Sequence, residues 1–391
     1  MRNHPFRTLW AAVGISNLAD GVNVAAAPLL AASLTSDPVS IAGLTVAQRL
    51  PWLFSLVSGA IVDRVARRTV VRAATAVRAL TLGLLAVAVG LGYASMPLLY
   101  AVFIVLGTCE TLFDNASGAL VPALVPSAGL EKANSRIQTT FVVANEFAGP
   151  PIGGFLLAIA LALPFAVGSL GLVASSAVLT LLPRADPAAE PSEKVSLWAD
   201  IRTGARWYWH SPVVRSLSIV SGVGNMMTGA SYGLLVLVGS QRLGLSPRGY
   251  GVLLAVGAVG AVLGGLVADR IAKRVAAVPL VVATCVISAG AVAALGLVRD
   301  PVLAAVALAT DGFVVLVLSV VIVSTRQRLV PSDLLGRVNA VYFTVALGGL
   351  AVGALGGGAI ARAFGLTAPF LVTAVLMLVA TVAVVPALRR V

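Results

Sequence analysis

Ten residues at the end of one apolar segment, Gly59-Ala-Ile-Val-Asp63-Arg64-Val-Ala-Arg67-Arg68, return in the second half of the chain as Gly265-Leu-Val-Ala-Asp269-Arg270-Ile-Ala-Lys273-Arg274. Both copies stand where a long apolar segment gives way to a short charged turn. Matching residue types at the same spacing indicate an internal repeat. The stretch therefore predicts a membrane protein of two similar halves, an organisation typical of transporters in which one half rocks against the other.

The composition agrees with a membrane protein. Hydrophobic residues make up 59% of the 391 residues and charged residues only 11%. A soluble chain of this length needs more surface charge, so we expect the lipid bilayer to cover most of the protein. The net charge of +12 would suit a nucleic-acid-binding protein, but the Lys and Arg residues form short clusters between apolar segments. Nucleic acid is therefore not expected as a partner.

Apolar segments of about 20 residues, bounded by charges or by Pro and Gly turns, can be counted along the chain. They predict an all-α membrane protein with twelve transmembrane helices in two six-helix pseudo-repeats. The predicted spans are 9–34, 39–62, 69–92, 98–120, 137–160, 164–182, 214–239, 248–268, 276–298, 302–325, 338–361 and 366–388. Residues 1–182 then form an N-terminal bundle, 183–213 a cytoplasmic linker and 214–391 a C-terminal bundle.

The positive residues predict the orientation, because Lys and Arg are retained on the cytoplasmic side. With a cytoplasmic N-terminus, the two repeated turns face the cytoplasm. The opposite side then carries only four basic residues, Arg242, Arg248, Arg299 and Arg362. We therefore expect a multi-pass protein of the cell membrane with both termini in the cytoplasm.

The linker, 183–213, begins with a Pro-, Ala-, Asp- and Glu-rich stretch that is expected to be flexible. Leu197, Ile201, Ala205 and Trp209 then recur at every fourth position. This spacing favours a short amphipathic helix lying on the cytoplasmic membrane surface. A wholly disordered linker is the alternative.

The two repeated turns, hereafter the signature loops, resemble the signature loop of the major facilitator superfamily, and the resemblance covers essentially the whole chain. In the fifth segment, Gly149-Pro150-Pro151-Ile152-Gly153-Gly154 is similar to the end of that superfamily's drug/proton antiporter motif. Two upstream glycines of the motif are absent, since Arg136 and Asn145 stand in their places.

A branch of the superfamily is also indicated. The fourth segment lacks the antiporter motif's basic residue and carries Glu110-Thr-Leu-Phe-Asp114-Asn115. Together with Arg49-Leu-Pro-Trp52 and Arg328-Leu-Val-Pro331, this resembles the macrolide-efflux and siderophore-exporter branch. The resemblance implies a central cavity lined by helices one, four, seven and ten, and it implies export over import.

The signature loops have a physical interpretation as gates. Gly59 allows helices to approach closely, and Asp63 and Asp269 can accept hydrogen bonds from nearby basic side chains or cap a neighbouring helix. Such contacts would hold the cytoplasmic side closed and break when it opens. The gating set is Gly59, Asp63, Arg64, Arg67, Arg68, Gly265, Asp269, Arg270, Lys273 and Arg274. The alternative is that these charges only fix topology.

The fifth segment is expected to be irregular. Gly149-Pro150 breaks the hydrogen-bond ladder, and Gly153-Gly154 offers a smooth face to another helix. These glycines return in the second half as Gly353-x-x-x-Gly357-Gly358, and Gly21 corresponds to Gly229. A kinked, flat helix between the halves would suit rocking, whereas an ordinary kinked packing helix is the alternative.

Ionisable residues inside the predicted spans are functional candidates, because each is costly in hydrocarbon unless it is paired or hydrated. Asp20 lies about 16 Å into helix one and Arg49 about 20 Å above Asp63, at ~1.5 Å per residue. The similar depth predicts an Asp20–Arg49 pair. A carboxylate whose partner changes with conformation can take up and release a proton. A static salt bridge is the competing interpretation.

Glu110 and Asp114 lie one helical turn apart and so share a face. Burial and a neighbouring carboxylate both favour the protonated form of such a group. If Arg78 on helix three neutralises Asp114, Glu110 is the better proton carrier. The candidate proton-coupling or cavity residues are Asp20, Arg49, Glu110, Asp114, Glu146 and Asp311.

These features predict a secondary transporter, a proton-coupled exporter of amphipathic or cationic small molecules that acts as a monomer. Its rivals are a nutrient importer or facilitator on the same fold, and a non-transporting membrane receptor or assembly factor. The chain has only two His residues and no Gly-Lys-Ser/Thr sequence. We therefore expect no metal site, no cofactor, no ATP hydrolysis and no enzymatic activity.

Overall fold

The computed structural model describes residues 4–54, 58, 62, 65–126, 129–182, 206–331 and 334–389. These residues are almost entirely helical, and no strand occurs within those ranges. In chain order, the helices are α1 (His4–Leu34), α2 (Pro38–Arg49), α3 (Arg67–Gly90), α4 (Met96–Leu124), α5 (Leu130–Ile159), α6 (Leu163–Leu179), α7 (Pro212–Arg242), α8 (Pro247–Arg274), α9 (Ala277–Leu297), α10 (Pro301–Leu329), α11 (Leu335–Phe364) and α12 (Ala368–Leu388).

Ten of these helices, counted over the ranges just given, are long and apolar enough to cross a membrane. The other two are α2 and α6. Helix α6 is apolar but has 17 residues. Helix α2 has 12 residues and continues into a tighter 3₁₀ turn, Leu50–Phe54, where Pro51 removes a backbone N–H. The all-α membrane fold is confirmed, and membrane crossing by α2 and α6 stays a prediction.

Proline marks the start of several helices. It occupies the first or second position of α4, α6, α7, α10 and α12. The first N–H groups of a helix have no intrahelical partner, so proline costs nothing there. At α10, Asp300 adds a side-chain cap and accepts hydrogen bonds from the N–H groups of Val302 at 2.8 Å and Leu303 at 2.9 Å.

The predicted break in the fifth helix takes the form of a π-helical segment, Val142–Ala148, directly before Gly149. Pro150 and Pro151 lack backbone N–H groups, so the carbonyls one turn earlier lose their α-helical donors. A wider turn forms just before these prolines, where the Gly149 N–H donates to the Ala144 carbonyl five residues earlier. Helix α5 therefore continues through the antiporter-like motif with a locally expanded turn.

The chain divides into two compact units. Unit 1 comprises Met1–Ser36, Ala47–Ser192 and Leu245–Ala255, and unit 2 comprises Asp37–Val46, Glu193–Gly244 and Val256–Val391. Each unit therefore contains most of one six-helix half together with the first turns of α2 or α8 from the other half. The predicted amphipathic linker helix lies mostly outside the described residues, which resume at 206.

The core of unit 1 forms where α1, α3, α4 and α6 meet. Leu9, Val71, Phe113 and Leu179 contribute, each at most 2% exposed. Because lipid tails are as apolar as these side chains, close packing rather than the hydrophobic effect holds such helices together. In unit 2, a smaller apolar cluster joins Tyr208, beside the start of α7, to Val338 on α11.

Glycines bring helix backbones into direct contact in both units. A methyl group on Gly149 of α5 would lie closer than 3.0 Å to the backbone of Gly21 on α1. In unit 2, a methyl group on Gly229 of α7 or on Gly353 of α11 would meet the opposite helix backbone just as closely. The repeat predicted from the sequence is therefore visible as equivalent α1–α5 and α7–α11 contacts.

The α1–α5 contact can be tested by adding a single methyl group. We expect Gly149→Ala to destabilise the protein by about 1–3 kcal/mol, because the backbone it meets cannot rotate away and the helices must separate. The measurement is the midpoint of thermal unfolding in detergent. Gly290→Ala is the matched control, since a methyl group there meets nothing within 4 Å. Equal midpoints for the two variants would contradict the close contact.

Candidate functional site

A buried ion pair lies at the centre of unit 1. The Arg78 guanidinium on α3 donates a hydrogen bond to Asp20 Oδ1 on α1. Its other terminal nitrogen donates to Ser16 Oγ at 2.9 Å. Arg78 is 1% exposed and its guanidinium carbon lies 5.6 Å from the centre of the Phe113 ring. Helix spacing explains the geometry, because Ser16 and Asp20 are four residues apart on one face of α1.

The predicted Asp20–Arg49 pair is wrong, because Asp20 pairs with Arg78. Arg49 is the last residue of α2, and its side chain is exposed. The position of a residue along a helix gives its depth in the membrane, but not the direction in which its face of the helix points. Arg78 lies on a buried face of α3 and its long side chain reaches α1.

Glu110 and Asp114 extend this charged group along α4. Glu110 is half-buried and interacts electrostatically with Asp20, Arg78 and Arg49. Asp114 is exposed one turn away and interacts with Glu110, Asp20 and Arg78. We call Asp20, Arg78, Glu110 and Asp114 the Arg78 cluster. It contains three carboxyl groups around one buried guanidinium, which leaves an excess of acidic groups.

Two further candidates lie beside the Arg78 cluster. Glu146 is half-buried within the π-helical segment of α5. The charge of Arg49 acts on both Glu146 and Glu110. Arg49 is therefore within electrostatic range of both acidic residues, although it forms no ion pair with the described residues.

Asp311 belongs to unit 2. It lies on α10, is 6% exposed and accepts a hydrogen bond of 2.5 Å from Ser288 Oγ on α9. Within unit 1, the structure therefore brings together Asp20, Glu110 and Asp114, with Arg49 and Glu146 nearby.

The first signature loop is only partly described. Gly59, Asp63 and Arg64 lie outside the described residues. Arg67 donates to the carbonyl of Ala119 on α4 at 3.3 Å, and Arg68 donates to the carbonyl of Thr180 at 2.7 Å. Thr180 ends α6, and a cation suits the negative end of a helix dipole.

The second signature loop forms the exposed end of α8. Asp269 pairs with Lys273 one turn later at 2.6 Å, and both side chains are 73% exposed. Arg270 and Arg274 are also exposed. Gly265 faces the Leu316 side chain of α10, so the close backbone approach in this half is made by other glycines of α8.

The antiporter-like motif contacts helices on two sides. Gly149 and Gly153 face the backbone of Gly21 and Val22 on α1. Pro150 is buried, and Gly154 faces the Pro247 carbonyl at the start of α8. The glycines of the motif thus provide a flat surface, as predicted from the sequence.

An ion pair that sequence reasoning missed lies at the start of α2. Arg362, in the last turn of α11, donates to Asp37 through Nε at 2.8 Å and through Nη2 at 2.5 Å. The backbone N–H and the hydroxyl of Ser40 donate to the same carboxylate at 2.9 Å and 2.6 Å. These donors, Arg362 first, hold the pKa of the Asp37 carboxyl well below its usual range.

Two other partners were missed, Ser16 and Ser288, and the three cases differ in their sequence signals. Ser16 was detectable, since it lies one turn from Asp20 in the same apolar segment. Ser288 gives no such signal, because 23 residues separate it from Asp311. For Asp37, an acidic residue three positions before a serine at a helix start is a local capping pattern, but its partner Arg362 is not predictable from spacing.

Comparison with known proteins shows the family to which this chain belongs. A family model described as "Transmembrane secretion effector", within the major facilitator superfamily, matches residues 1–390. The chain belongs to this family of membrane transporters. The transporter is 28% identical over 390 residues to the multidrug efflux pump Tap of Mycolicibacterium fortuitum, covering 95% of this chain and 93% of that protein. It is 26% identical over 375 residues to the enterobactin exporter EntS of Shigella dysenteriae serotype 1, covering 91% and 86%.

Solved structures support the fold of the transporter. The nucleoside transporter NupG matches with a TM-score of 0.80 at 12% identity, covering 99% of each chain. A bacterial homolog of the human lysosomal transporter Spinster, in an inward-facing and occupied conformation, matches with a TM-score of 0.79 at 15% identity, covering 99% and 97%. The predicted superfamily and multi-pass membrane fold are confirmed. The family consists of transporters rather than enzymes, and it implies a small-molecule substrate.

The Arg78 ion pair predicts a large stability loss in one variant. Asp20→Asn removes the charge that pairs with a guanidinium 1% exposed, so we expect a loss of up to about 3–5 kcal/mol. Asp269→Asn is the matched control, because its pair with Lys273 is exposed to solvent and contributes about 0–1 kcal/mol. Thermal unfolding in detergent gives both values. Equal losses of stability would contradict the role assigned to burial. Recovery of stability in the double variant Asp20→Asn/Arg78→Gln would support it.

The Asp37–Arg362 pair predicts a pH dependence. Since the pKa of Asp37 is lowered from 3.8, the pair is fully formed above that value and is lost as the pH falls through the lower folded value. We expect Arg362→Gln to be less stable than wild type by about 1 kcal/mol or less at neutral pH.

The difference between wild type and Arg362→Gln should stay constant down to about pH 4 and narrow as the medium becomes more acidic. Unfolding midpoints over that range provide the measurement, with the exposed Arg299→Gln as control. A difference that grows with acidity would contradict the assigned sign.

Proposed function

We propose that this transporter is a proton-coupled exporter of amphipathic or cationic small molecules, drug-like or siderophore-like in kind. The observation that carries the proposal is the excess of carboxyl groups over the single buried guanidinium in the Arg78 cluster. The names of the relatives, a multidrug efflux pump and an enterobactin exporter, support export. Nutrient import, the rival on the same fold, has no comparable support among these relatives.

The Arg78 cluster suits proton coupling because its acidic groups have different tasks. Asp20 neutralises Arg78 directly, so a proton on Asp20 would break a buried ion pair. Glu110 has no basic residue on its own helix and lies within electrostatic range of the pair. Glu110 is therefore the group that can gain and lose a proton while the ion pair stays intact.

Competition between a proton and the substrate then couples the two flows. With Glu110 ionised, the cluster carries excess negative charge and attracts a cationic group. A proton arriving at Glu110 removes that charge and weakens the attraction, which favours substrate release.

The signature loops are proposed to gate the cytoplasmic side. Arg67 and Arg68, at the end of the first loop, anchor the start of α3 to α4 and to the end of α6. Asp269 pairs within its own helix and contributes a weaker contact. We therefore assign the larger gating effect to Asp63 and its loop.

The remaining arrangement of the transporter is proposed from the sequence. Both termini face the cytoplasm, 183–213 links bundles 1–182 and 214–391 as a membrane-surface helix, and one monomer suffices for transport. The glycine contacts of α5 with α1 and α8 support a role of the antiporter-like motif in movement.

The proposal is tested by transport into inverted membrane vesicles, with a pH-sensitive dye and a panel of cationic and neutral compounds. Export predicts that the compound accumulates in the vesicles while protons leave. It also predicts that a compound gradient alone changes the pH inside the vesicles, as reported by the dye. Accumulation only in right-side-out vesicles would indicate import and overturn the proposal.

Glu110 gives the sharpest single test. Glu110→Gln is expected to lose uphill export, down to the level of vesicles without the transporter, because the neutral amide cannot exchange a proton. Downhill exchange should remain, with weaker binding of a cationic substrate, because the amide carries no charge, like the protonated acid. Glu131→Gln, an exposed residue in the first turn of α5, is the matched control and should export normally. Full uphill export by Glu110→Gln would remove the coupling role from this residue.

A further inference from the structure

Asp311 is a buried acidic residue that the proposed coupling cluster does not use. It lies on α10, ten residues from the helix start and so about 15 Å along it at ~1.5 Å per residue. The carboxyl group is 6% exposed, and Ser288 on α9, 0% exposed, donates to Oδ1 at 2.5 Å. Both residues belong to unit 2.

Within the described part of unit 2, the helices near Asp311 supply no counter-charge. Helices α9 and α12 contain no Asp, Glu, Lys, Arg or His at all. The part of α8 in unit 2 has no charged residue before Asp269, and the charges of α7 are confined to Arg215 and Arg242 near its ends. On α10 itself, the other charges are Arg326 and Arg328, four helical turns away. The nearby Cys285 side chain is hydrogen-bonded to the Thr381 side chain of α12.

An ionised carboxylate cannot be accommodated cheaply in these surroundings. The effective penalty for a charge removed from water is several kcal/mol, and it is offset only by a counter-ion or by several hydrogen bonds. One neutral hydroxyl offers a single donor. The neutral acid avoids the penalty, with Oδ1 accepting from Ser288 and Oδ2 carrying the proton.

We infer that Asp311 and Ser288 form a second proton-binding site, distinct from the Arg78 cluster, that is occupied in this conformation and empties during the transport cycle. The inference rests on the proposed proton-coupled function and adds a site in unit 2. The reaction is a proton transfer only. The Oδ2–H bond breaks, the proton leaves on a water molecule, and the ionised carboxylate remains.

The packing of α10 allows the site to open. Three glycines of α8 contact α10. Gly260 and Gly264 face the α10 backbone, and Gly257 faces the Leu308 side chain. On α10, Gly312 follows Asp311 directly. A helix contact made of glycines has few interlocking side chains, so one helix can shift along the other. Such a shift would part Asp311 from Ser288 and admit the water that accepts the proton.

The protonation state is tested by infrared spectroscopy of the full-length transporter in proteoliposomes at neutral pH, in H₂O and D₂O. We expect Asp311→Asn to remove one carbonyl band of a protonated carboxyl group, and we expect this band to survive in Glu110→Gln. Ser288→Ala should shift the same band, whereas Ser218→Ala, a buried serine bonded to the Val214 carbonyl, should not. If Asp311→Asn removes no such band, Asp311 is ionised and the inference fails.

The transport role is tested by counting protons moved per substrate molecule in the same proteoliposomes. Asp311→Asn should export with a lower proton-to-substrate ratio than wild type, and a ratio equal to wild type would overturn the role. Where Asp311→Asn does not insert, Ser288→Ala replaces it. Removing a donor that favours the ionised form should move half-maximal export to higher pH, and an unchanged pH profile would overturn the role.

These results are distinguishable from failure of the proposed function. If Glu110→Gln exports uphill while Asp311→Asn lowers the proton ratio, the coupling assigned to the Arg78 cluster is wrong and the site in unit 2 stands. If both variants keep the wild-type ratio, neither site carries transported protons.

Discussion

A guanidinium group placed inside a membrane protein has to be neutralised and hydrogen-bonded, and unit 1 is arranged around that requirement. Arg78 is 1% exposed, so it cannot reach water or lipid headgroups. Its partners come from α1, where Asp20 supplies the charge and Ser16 a hydroxyl. Once this pair is fixed, the faces that α1, α3 and α4 present to one another are fixed as well. The acidic residues of α4 then lie beside a pair that is already neutral.

The two units share backbone contacts and differ in their charges. Glycines join α1 to α5 in unit 1 and α7 to α11 in unit 2 at corresponding positions. In contrast, α9 has no charged residue where α3 has Arg78, and the acidic residue of α10 is bonded to a serine. Packing by glycine depends on shape alone, so it can be the same in both halves. The charged sites are individual to each half and give the transporter two chemically different interiors.

Sequence patterns were sufficient for the features that depend on local periodicity or repetition. The superfamily, most helix positions, the repeat and the flat glycine face of α5 follow from residues such as Gly149 and Gly353. Pairing across helices was not accessible in the same way, as Asp20 shows. Depth along a helix can be counted from the sequence, but the rotation of one helix relative to another depends on packing of many side chains. For the same reason, the Ser288–Asp311 and Asp37–Arg362 partners became apparent only in three dimensions.

The residue ranges that make up the two units show that each half of the chain contributes helix turns to the other unit. Leu245–Ala255 belongs to unit 1 although it follows the linker, and Asp37–Val46 belongs to unit 2 although it precedes it. A polypeptide ending at the linker would lack the α8 turns that face Gly154, and the complementary fragment would lack the α2 turns that face Gly358. Each fragment would lack the helix turns that pack against one of these glycines. We therefore expect neither half of the chain to fold completely if it is produced by itself.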